Sequence, residues 1–505
     1  MHPLENQHVL ILGLGHSGLA MARWCARAGA QVTVADTRET PPQLEALRRD
    51  VPSATFISGE FDAALVDGSS VRAVFKSPGL TPHTVVTVMA AARAQGLWVG
   101  GELDLFSRAL VALGQSQGYT PKVLAITGTN GKTTVTSLTG QLIERAGKSA
   151  VVAGNIGPTL LDTLTQRLDA GSLPEVWVLE LSSFQLDGVT AFEPTAATVL
   201  NLTQDHLDWH GTMQAYSDAK ARVFGQQALM LLNREDPQVM AMLPAPVKVR
   251  GGKTAQRVHV TFGGNMPQRP GDFGIETVNG MAWLVRALEA DETIKRRKGD
   301  EEEIHIQRLI PADALRIRGR HNAVNALAAL ALASAAGCAL GPLLYGLREY
   351  RGEPHRVEPI GTVHDVEYFD DSKGTNVGAT VAALDGLGAE RKVVVILGGD
   401  GKGQDFAPLA APVARHARSV VLIGRDGPSV RAALQATGVP LFDAGTMAQA
   451  VLLASQQARG GDAVLMSPAC ASFDMFDNYG HRAQAFHDAV AALAADAGVP
   501  IEGVA

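Results

Sequence analysis

Disulfides cannot hold this chain together: three cysteines in 505 residues, Cys25, Cys338 and Cys470, lie far apart and make no framework, which fits a reducing compartment. A membrane span is missing too. The most apolar long run, 323–340, is alanine-rich and interrupted by Asn325 and Ser334, so it reads as one buried helix. Residues 1–6 are polar and lead straight into a short strand, leaving no apolar signal core, and a cytoplasmic protein is expected. Nor is there an excess of positive charge. At a net charge of −7 the global field repels nucleic acid and gives anionic ligands no long-range help, so any anion must be caught by local basic groups. A hydrophobic content of 46% with 19% charged residues gives no reason to expect disorder. The chain is too long for one core and implies roughly three domains of about 100 to 200 residues.

The stretch richest in chemistry is Thr127-Gly128-Thr129-Asn130-Gly131-Lys132-Thr133-Thr134, which follows the apolar run 123–126. A buried strand runs there into a glycine loop and then into a helix beginning near Val135. Two glycines let backbone N–H groups turn inward around an anion, the helix offers its positive end, and Lys132 supplies a cation for terminal phosphates. Thr133 is placed to hold Mg²⁺ through its hydroxyl. Ile126 stands where the common phosphate loop has a glycine, so the match is to a shortened variant.

Before this loop, 8–12 reads as a strand, with Gly13, Gly15 and Gly18 making a turn into a helix, and 32–35 is a second strand ending in Asp36 at the distance of a ribose-binding acid. These residues alone suggest a nicotinamide-dependent oxidoreductase; the separate phosphate loop allows a second reading, in which this site anchors a nucleotide-bearing substrate. Thr37 and Arg38 could take a phosphate or sugar hydroxyl. Ser77-Pro78-Gly79, after the apolar stretch 71–75, is another loop at a strand's carboxyl end. Residues 115–120 read as a linker, with a boundary near 118.

In the middle of the chain, 149–153 and 176–179 read as strands, the second closed by Glu180, where ATP-binding sheets keep a second Mg²⁺ anchor or, equally simply, a surface acid. After the strand 197–201 come Asp205, His206, Asp208 and His210, suited to metal holding or proton handling, and also to a plain solvated loop. A helix over 214–224 puts Lys220 on one face with Tyr216 and Phe224, and such a lysine usually sends its amine to water. The stretch 289–303 reads as an exposed loop of mixed charge, and Asn322 and Asn325 open the alanine-rich helix, where amides cap or meet a ligand. Strand and helix alternate again from 392 onward. The turn 398–403 lacks a hydroxyl after Lys402 and is a poor ATP loop but a fair carboxylate site. Cys470, in the loop 467–472, reads as a small packed residue.

Taken together, 128–134, Glu180-Leu181-Ser182-Ser183-Phe184-Gln185-Leu186, Asp205-His206, 216–220, His321-Asn322 with Asn325, Pro354-His355-Arg356, Asp371-Ser372-Lys373, 398–402 and 467–472 resemble, in order, the motifs of the Mur ligases of bacterial cell-wall synthesis, and within them the branch that adds D-glutamate. The resemblance implies an α/β chain of three domains: a Rossmann-like domain over 1–118 for the UDP substrate, a central P-loop-type ATP-binding domain over 119–352, and a Rossmann-like α/β domain over 353–505 for the amino acid. It implies that ATP phosphorylates the carboxylate of UDP-N-acetylmuramoyl-L-alanine and that D-glutamate attacks the acyl phosphate, with positioning and charge neutralisation as the protein's main work.

Carried over residue by residue, Gly128, Thr129, Asn130, Gly131, Lys132, Thr133, Thr134, Asn322, Asn325, Arg356 and Asp371 would bind ATP, and Thr133, Glu180 and His206 would hold Mg²⁺. Lys220 would be carbamylated by CO₂ and join them as an anion; Lys132, Glu180, His206 and Lys220 would form the catalytic set. His16, Ser17, Asp36, Thr37, Arg38, Ser77 and Asn155 would bind the UDP substrate, and Lys373, Thr375, Lys402, Ser472 and Tyr479 the D-glutamate. A monomer without nucleic-acid partners is expected. Three departures stand out: Gly374 where alanine is expected, Glu353 before Pro354, and the long charged segment 289–303. The Asp-Asn-Pro-Arg motif of the diaminopimelate-adding branch is absent, and folylpolyglutamate synthases lack a domain like the residues before the linker. A non-catalytic nucleotide-binding protein is the remaining reading.

Overall fold

Runs of Val, Leu, Ile and Ala closed by a glycine or an acid become the central strands of three largely parallel sheets, buried on both faces. The structure, a computed structural model, describes residues 4–248, 254–290, 304–389 and 391–498. All but the first two residues of the charged segment 289–303 lie outside these; Glu289 ends a strand.

The first sheet has five parallel strands, in the order Thr55–Ser58, Gln31–Asp36, His8–Leu12, Val71–Lys76, Trp98–Gly100. Its strand order reverses between His8–Leu12 and Val71–Lys76, so the glycine turn and Ser77-Pro78-Gly79 face each other across the switch point, where such sheets bind ligands. Gly18 is required there, because a Cβ would lie 2.0 Å from the Gly13 carbonyl oxygen.

The expected linker 115–120 is shorter than read. Helix Glu102–Gln117 takes in Gln115, Ser116 and Gln117, with the Ser116 hydroxyl donating back to Ala112 O at 2.8 Å, and stops only at Gly118 in the left-handed region. Glutamine is a fair helix former, and serine sits in a helix once its hydroxyl is occupied, so polarity alone misled.

The second sheet has six parallel strands, in the order His259–Phe262, Leu229–Asn233, Ala196–Val199, Lys122–Thr127, Val176–Glu180, Ala150–Gly154. Lys122–Thr127 is central, flanked by the strands that end in Glu180 and lead to Asn201. The helix after the glycine loop begins at Lys132, not near Val135. It packs against Arg320–Ala335, whose alanines are buried around almost the whole circumference. The alanine run 323–340 is one buried helix as far as Ala335; Gly337 in the left-handed region ends it, and Leu340 opens the next helix, Leu340–Glu349. Strands Phe273–Val278, Met281–Glu289 and Ile304–Pro311 form an antiparallel sheet, unread in the sequence, whose Phe273, Leu284 and Ile310 cover the alanine-rich helix.

The third sheet runs Glu358–Val363, Val366–Asp370, Ala463–Met466, Val393–Gly398, Ala417–Ile423, Leu441–Asp443, with only the first pair antiparallel. Asp371, Gly398 and Ser467 thereby stand side by side at strand ends. Among the described residues, no helix is long and apolar enough to cross a membrane.

Candidate active site

The glycine loop is held open by the neighbouring strand end. Asn201 Oδ1 accepts from Asn130 N at 2.9 Å, Asn201 Nδ2 donates to Asn130 O at 3.1 Å, and Asn201 O accepts from Thr129 N at 2.9 Å. Gly131 has φ +83° and a Cβ there would lie 2.8 Å from Asn325 Oδ1, so the loop and the alanine-rich helix meet only because this position is glycine. Lys132 curls back over its own loop, donating to Gly128 O at 2.9 Å and Thr129 O at 2.8 Å.

Lys220 reaches the same carbonyl from helix Met213–Ala221, donating to Gly128 O at 2.9 Å and Thr127 Oγ1 at 3.3 Å, with its ammonium position 4.6 Å from the Tyr216 ring centre. The expectation that its amine reaches water is wrong. Lys220 is only 2% exposed, because Tyr216, Ala219 and Lys220 form the helix's inward face and the loop supplies acceptors at the end of the stem. Burial first, and the Lys132 charge second, push its pKa well below the usual lysine value.

Facing these cations are two acids. Glu180 is 2% exposed, so it is not the surface acid its strand-end position allowed; Oε1 accepts from Asn155 Nδ2 at 2.8 Å, and buried Oε2 has no protein partner. Asp205 accepts from Asn376 Nδ2 at 3.4 Å and lies 3.6 Å from His206 Nε2. Burial lowers the His206 pKa, Asp205 opposes this, and the charges of Lys132, Lys220 and Lys402 lower it further. The other members of the Asp205–His210 run part company with this group. Asp208 is exposed, while His210 stacks with Phe184, donates to or accepts from Ser183 Oγ at 2.9 Å, and is pushed by burial down to about 4.

A cleft opens beside the loop, lined by Asn130, Gly131, Thr134, His321, Asn322, Asn325, Arg356 and Asp371. Arg356 donates to Thr133 Oγ1 at 2.7 Å, crossing from the third sheet's entry segment to the loop. Asp371 accepts from Ser467 Oγ at 2.6 Å, and burial raises it to about 7. The unexpected Gly374 has a local cause: a Cβ would lie 2.4 Å from Asp371 Oδ2. Glu353, the second departure, accepts from the buried Tyr350 hydroxyl at 2.7 Å.

Loops 398–403 and 467–472 are zipped together by a two-way backbone bridge, Asp400 N to Ala471 O at 2.9 Å and Ala471 N to Asp400 O at 2.8 Å. This brings Lys402, exposed and in the left-handed region, to the same edge as buried Ser472. Lys373 lies 5.3 Å from the ring centre of Tyr479, and partly buried Thr375 follows it. A reciprocal amide pair, Asn130 with Asn376 at 3.0 and 3.2 Å, joins the phosphate-type loop to this third unit.

The residues expected around the first sheet gather at its switch point, except one. Asp36 uses both oxygens inside the chain, accepting from Leu14 N at 2.7 Å and from Arg38 Nε and Nη2 at 2.8 Å each. Arg38 holds its carboxyl below the usual range against the opposing effect of burial. Ser77 Oγ donates to Gly13 O at 2.8 Å, Ser17 is half-buried, and His16 and Thr37 are exposed. Asn155 stands apart, bonded to Glu180 at the second sheet.

Four residues went unread. Asn201 and Asn376 brace the loop, and Asn376 also caps helix Val377–Gly388, accepting from Ala379 N at 2.9 Å. Lys76, mostly buried, pairs with Asp187 at 3.3 Å, and Glu102 is pushed by burial up to about 7 while its Oε1 accepts from Leu161 N at 3.0 Å. Both bridge the first two sheets, and no local pattern announces a long-range partner.

The chain matches three family descriptions: a Mur ligase MurD-like N-terminal domain over residues 7–101, a Mur ligase middle domain over 126–333, and a Mur ligase glutamate ligase domain over 355–470. It is 73% identical, over 100% of both chains, to a UDP-N-acetylmuramoylalanine--D-glutamate ligase of Albidiferax ferrireducens, and 57% identical to one of Ralstonia nicotianae, over 98% of this chain and 99% of the relative. Among solved structures, MurF ligase from Thermotoga maritima in complex with ADP overlaps 97% of this chain and 96% of its own, at TM-score 0.55 and 14% identity. MurC from the same organism overlaps 97% and 100%, at TM-score 0.52 and 19% identity. These structures speak for the fold alone.

Proposed function

The chain belongs to the Mur ligase family, and from that membership we propose that it joins D-glutamate to UDP-N-acetylmuramoyl-L-alanine with cleavage of ATP, in peptidoglycan precursor synthesis. The observation that carries this reading is the convergence on one loop of Lys132 and Lys220, which share the Gly128 carbonyl, and of Arg356 and Asn376 from the third unit, bonded to Thr133 and Asn130.

The substrate carboxylate attacks the terminal phosphorus of ATP and ADP leaves. The amine of D-glutamate then attacks the acyl carbon, loses a proton, and phosphate departs. Lys132, with the positive N-terminal end of the helix it opens, draws negative charge off the transferring phosphoryl group. Asn322, Asn325, Arg356 and Asp371 orient the nucleotide in the cleft they line.

The residues present fit Mg²⁺: buried Glu180 Oε2 lacks a protein partner, the Thr133 hydroxyl is a further oxygen donor at the start of the helix after the loop, and His206 offers a ring nitrogen. When bound, the ion neutralises charge on the phosphate oxygens. Lys220 fits the remaining role. Its depressed pKa favours the neutral amine, whose nitrogen attacks CO₂ and releases one proton to give a carbamate, so that a cation becomes an anion beside Thr127 and Gly128.

His16, Ser17, Asp36, Thr37, Arg38 and Ser77 hold the UDP group, with Asp36 acting through its brace on Arg38 and the glycine turn; Asn155, beside Glu180, meets the muramoyl end. Lys373, Thr375, Lys402, Ser472 and Tyr479 receive D-glutamate. This assigns 1–118, 119–352 and 353–505 to the three substrates in turn, in a cytoplasmic monomer.

The test is phosphate release from ATP with UDP-N-acetylmuramoyl-L-alanine, offering L- and D-amino acids in parallel. Release should require the UDP substrate and D-glutamate together. Equal release with L-glutamate, or release without the UDP substrate, sinks the assignment.

A further inference from the structure

We propose that His355, Glu358, Asp370 and His487 form a second cation site, suited to a zinc-type divalent ion and separate from the phosphate-handling centre. Each offers one ligand atom, and the four atoms lie within 4.8 Å of one another; among the described residues no other group of three or more such side chains comes so close together.

Asp370 Oδ2 is the hub, 2.6 Å from His355 Nδ1 and 3.2 Å from His487 Nε2, while Glu358 Oε2 stands 3.8 Å from His355 Nδ1. A tetrahedral ion with bonds of about 2.0–2.2 Å sets its ligand atoms about 3.3–3.6 Å apart, so shifts on the order of 1 Å complete the shell. Two imidazoles and two carboxylates suit zinc and its neighbours, whereas Mg²⁺ prefers a shell made mostly of oxygen, and two imidazoles among four ligands disfavour it.

The donors are already oriented by outer contacts. Asp370 Oδ1 accepts from Ser372 N at 2.9 Å and Ser372 Oγ at 2.5 Å, and Glu358 Oε2 accepts from His355 N at 2.8 Å, the kind of support that fixes a metal ligand's direction. An entry path exists as well: Asp370 is fully buried, but the side chains of His355, Glu358 and His487 are each about a third exposed, at 30%, 34% and 33%.

The ligands come from separate parts of the third unit. His355 lies in its entry segment, Glu358 opens strand Glu358–Val363, Asp370 closes strand Val366–Asp370, and His487 sits midway along helix Tyr479–Asp496. An ion there staples the last helix to the hairpin, next to Arg356 and Asp371 but through neither of them. A hydrogen-bond network alone accounts for Asp370 with the two rings and for Glu358 with the His355 N–H, and Glu358→Gln keeps an acceptor for that N–H while removing the charge, so its metal retention separates the two readings.

The experiment uses the full chain, stripped with a chelator and re-equilibrated in excess Mg²⁺, then titrated with Zn²⁺ and with Co²⁺ as a spectroscopic probe. About one Zn²⁺ per chain should be retained through gel filtration, and Co²⁺ should give a visible band of four-coordinate type. His487→Ala and Glu358→Gln should each weaken Zn²⁺ by at least ~10-fold, with unchanged far-ultraviolet dichroism. Should His487→Ala fail to fold, Glu358→Gln decides alone. Lack of retention by the wild type means a hydrogen-bond network only, and undiminished retention in the folded variants means another site; either overturns the proposal. Binding is read without turnover, so the result stands apart from the ligase assignment.

Discussion

Lys132 and Lys220 donate to the same oxygen, the Gly128 carbonyl, each at 2.9 Å. Two ammonium groups on one acceptor in a buried loop repel, and both have lowered pKa values. Burial is the largest cause for both, and Glu180 and Asp205 support both; Lys132 has Arg356 and Lys373 against it, Lys220 has Lys132 against it, and Lys220 is the one held well below the usual lysine value. Lys220 is the one more readily found as a neutral amine.

The first prediction is that Lys220→Ala abolishes most turnover and that short-chain carboxylates restore part of it, by returning the anion a carbamate would have supplied. Phosphate release measured with and without added acetate or formate checks this. Full activity in the folded variant removes the carbamate from the mechanism.

The second concerns the loop. Lys132→Ala should lower turnover by at least ~10²-fold, the loss expected of one strong charge-stabilising group, with little change in the folded state because the side chain binds only its own loop. Steady-state phosphate release, with dichroism as the control for folding, measures it, and near-normal turnover contradicts the assigned role.

The third is a pH dependence of stability. His321, in the ATP-side cleft, is pushed by burial from the ordinary 6.5 down to about 4, against the pull of Asp385. Its folded value lies below its unfolded one, so between about 6.5 and 4 the unfolded chain binds more protons. The stability this neutral ring contributes is complete above 6.5 and is lost as pH falls toward 4. His321→Gln should flatten the denaturation midpoint across that window relative to the wild type, and parallel curves would refute the attribution.

What could be read beforehand was local. The glycine loops, the strand-end acids and the three parallel sheets rest on residues close in sequence, where period and turn chemistry act directly. The Asn130–Asn376 pair joins positions 246 apart, and Lys76 reaches Asp187 across 111, so no window of sequence contains both partners. Lys220 was misplaced for a different reason. Exposure habits describe an average lysine, and the acceptors that make burial tolerable here come from a strand and loop 92 to 93 residues away. The polar end of helix Glu102–Gln117 likewise looked like a connection because capping at Gly118, and not composition, sets the boundary.

The fourth prediction is that the third unit selects the amino acid. D-glutamate brings two carboxylates, and a chain of net charge −7 offers no general attraction, so nearby donors must hold them. The Asp400–Ala471 bridge fixes the distance between the loop bearing Lys402 and the loop bearing Ser472, and Lys373 approaches from the neighbouring strand end over Tyr479. Donors fixed on separate strand ends can grip both carboxylates and leave one direction for the amine, which is how a pocket rejects the mirror-image substrate. Each charge-assisted contact is worth about 1.5–3 kcal/mol, or roughly 10- to 100-fold. Lys402→Ala and Ser472→Ala should accordingly raise the KM for D-glutamate by at least ~10-fold while changing that for ATP or the UDP substrate by no more than about 2-fold. Separate saturation curves for the three substrates read the split, and a variant that weakens ATP alone would mean that this edge of the third sheet serves the nucleotide and not the amino acid.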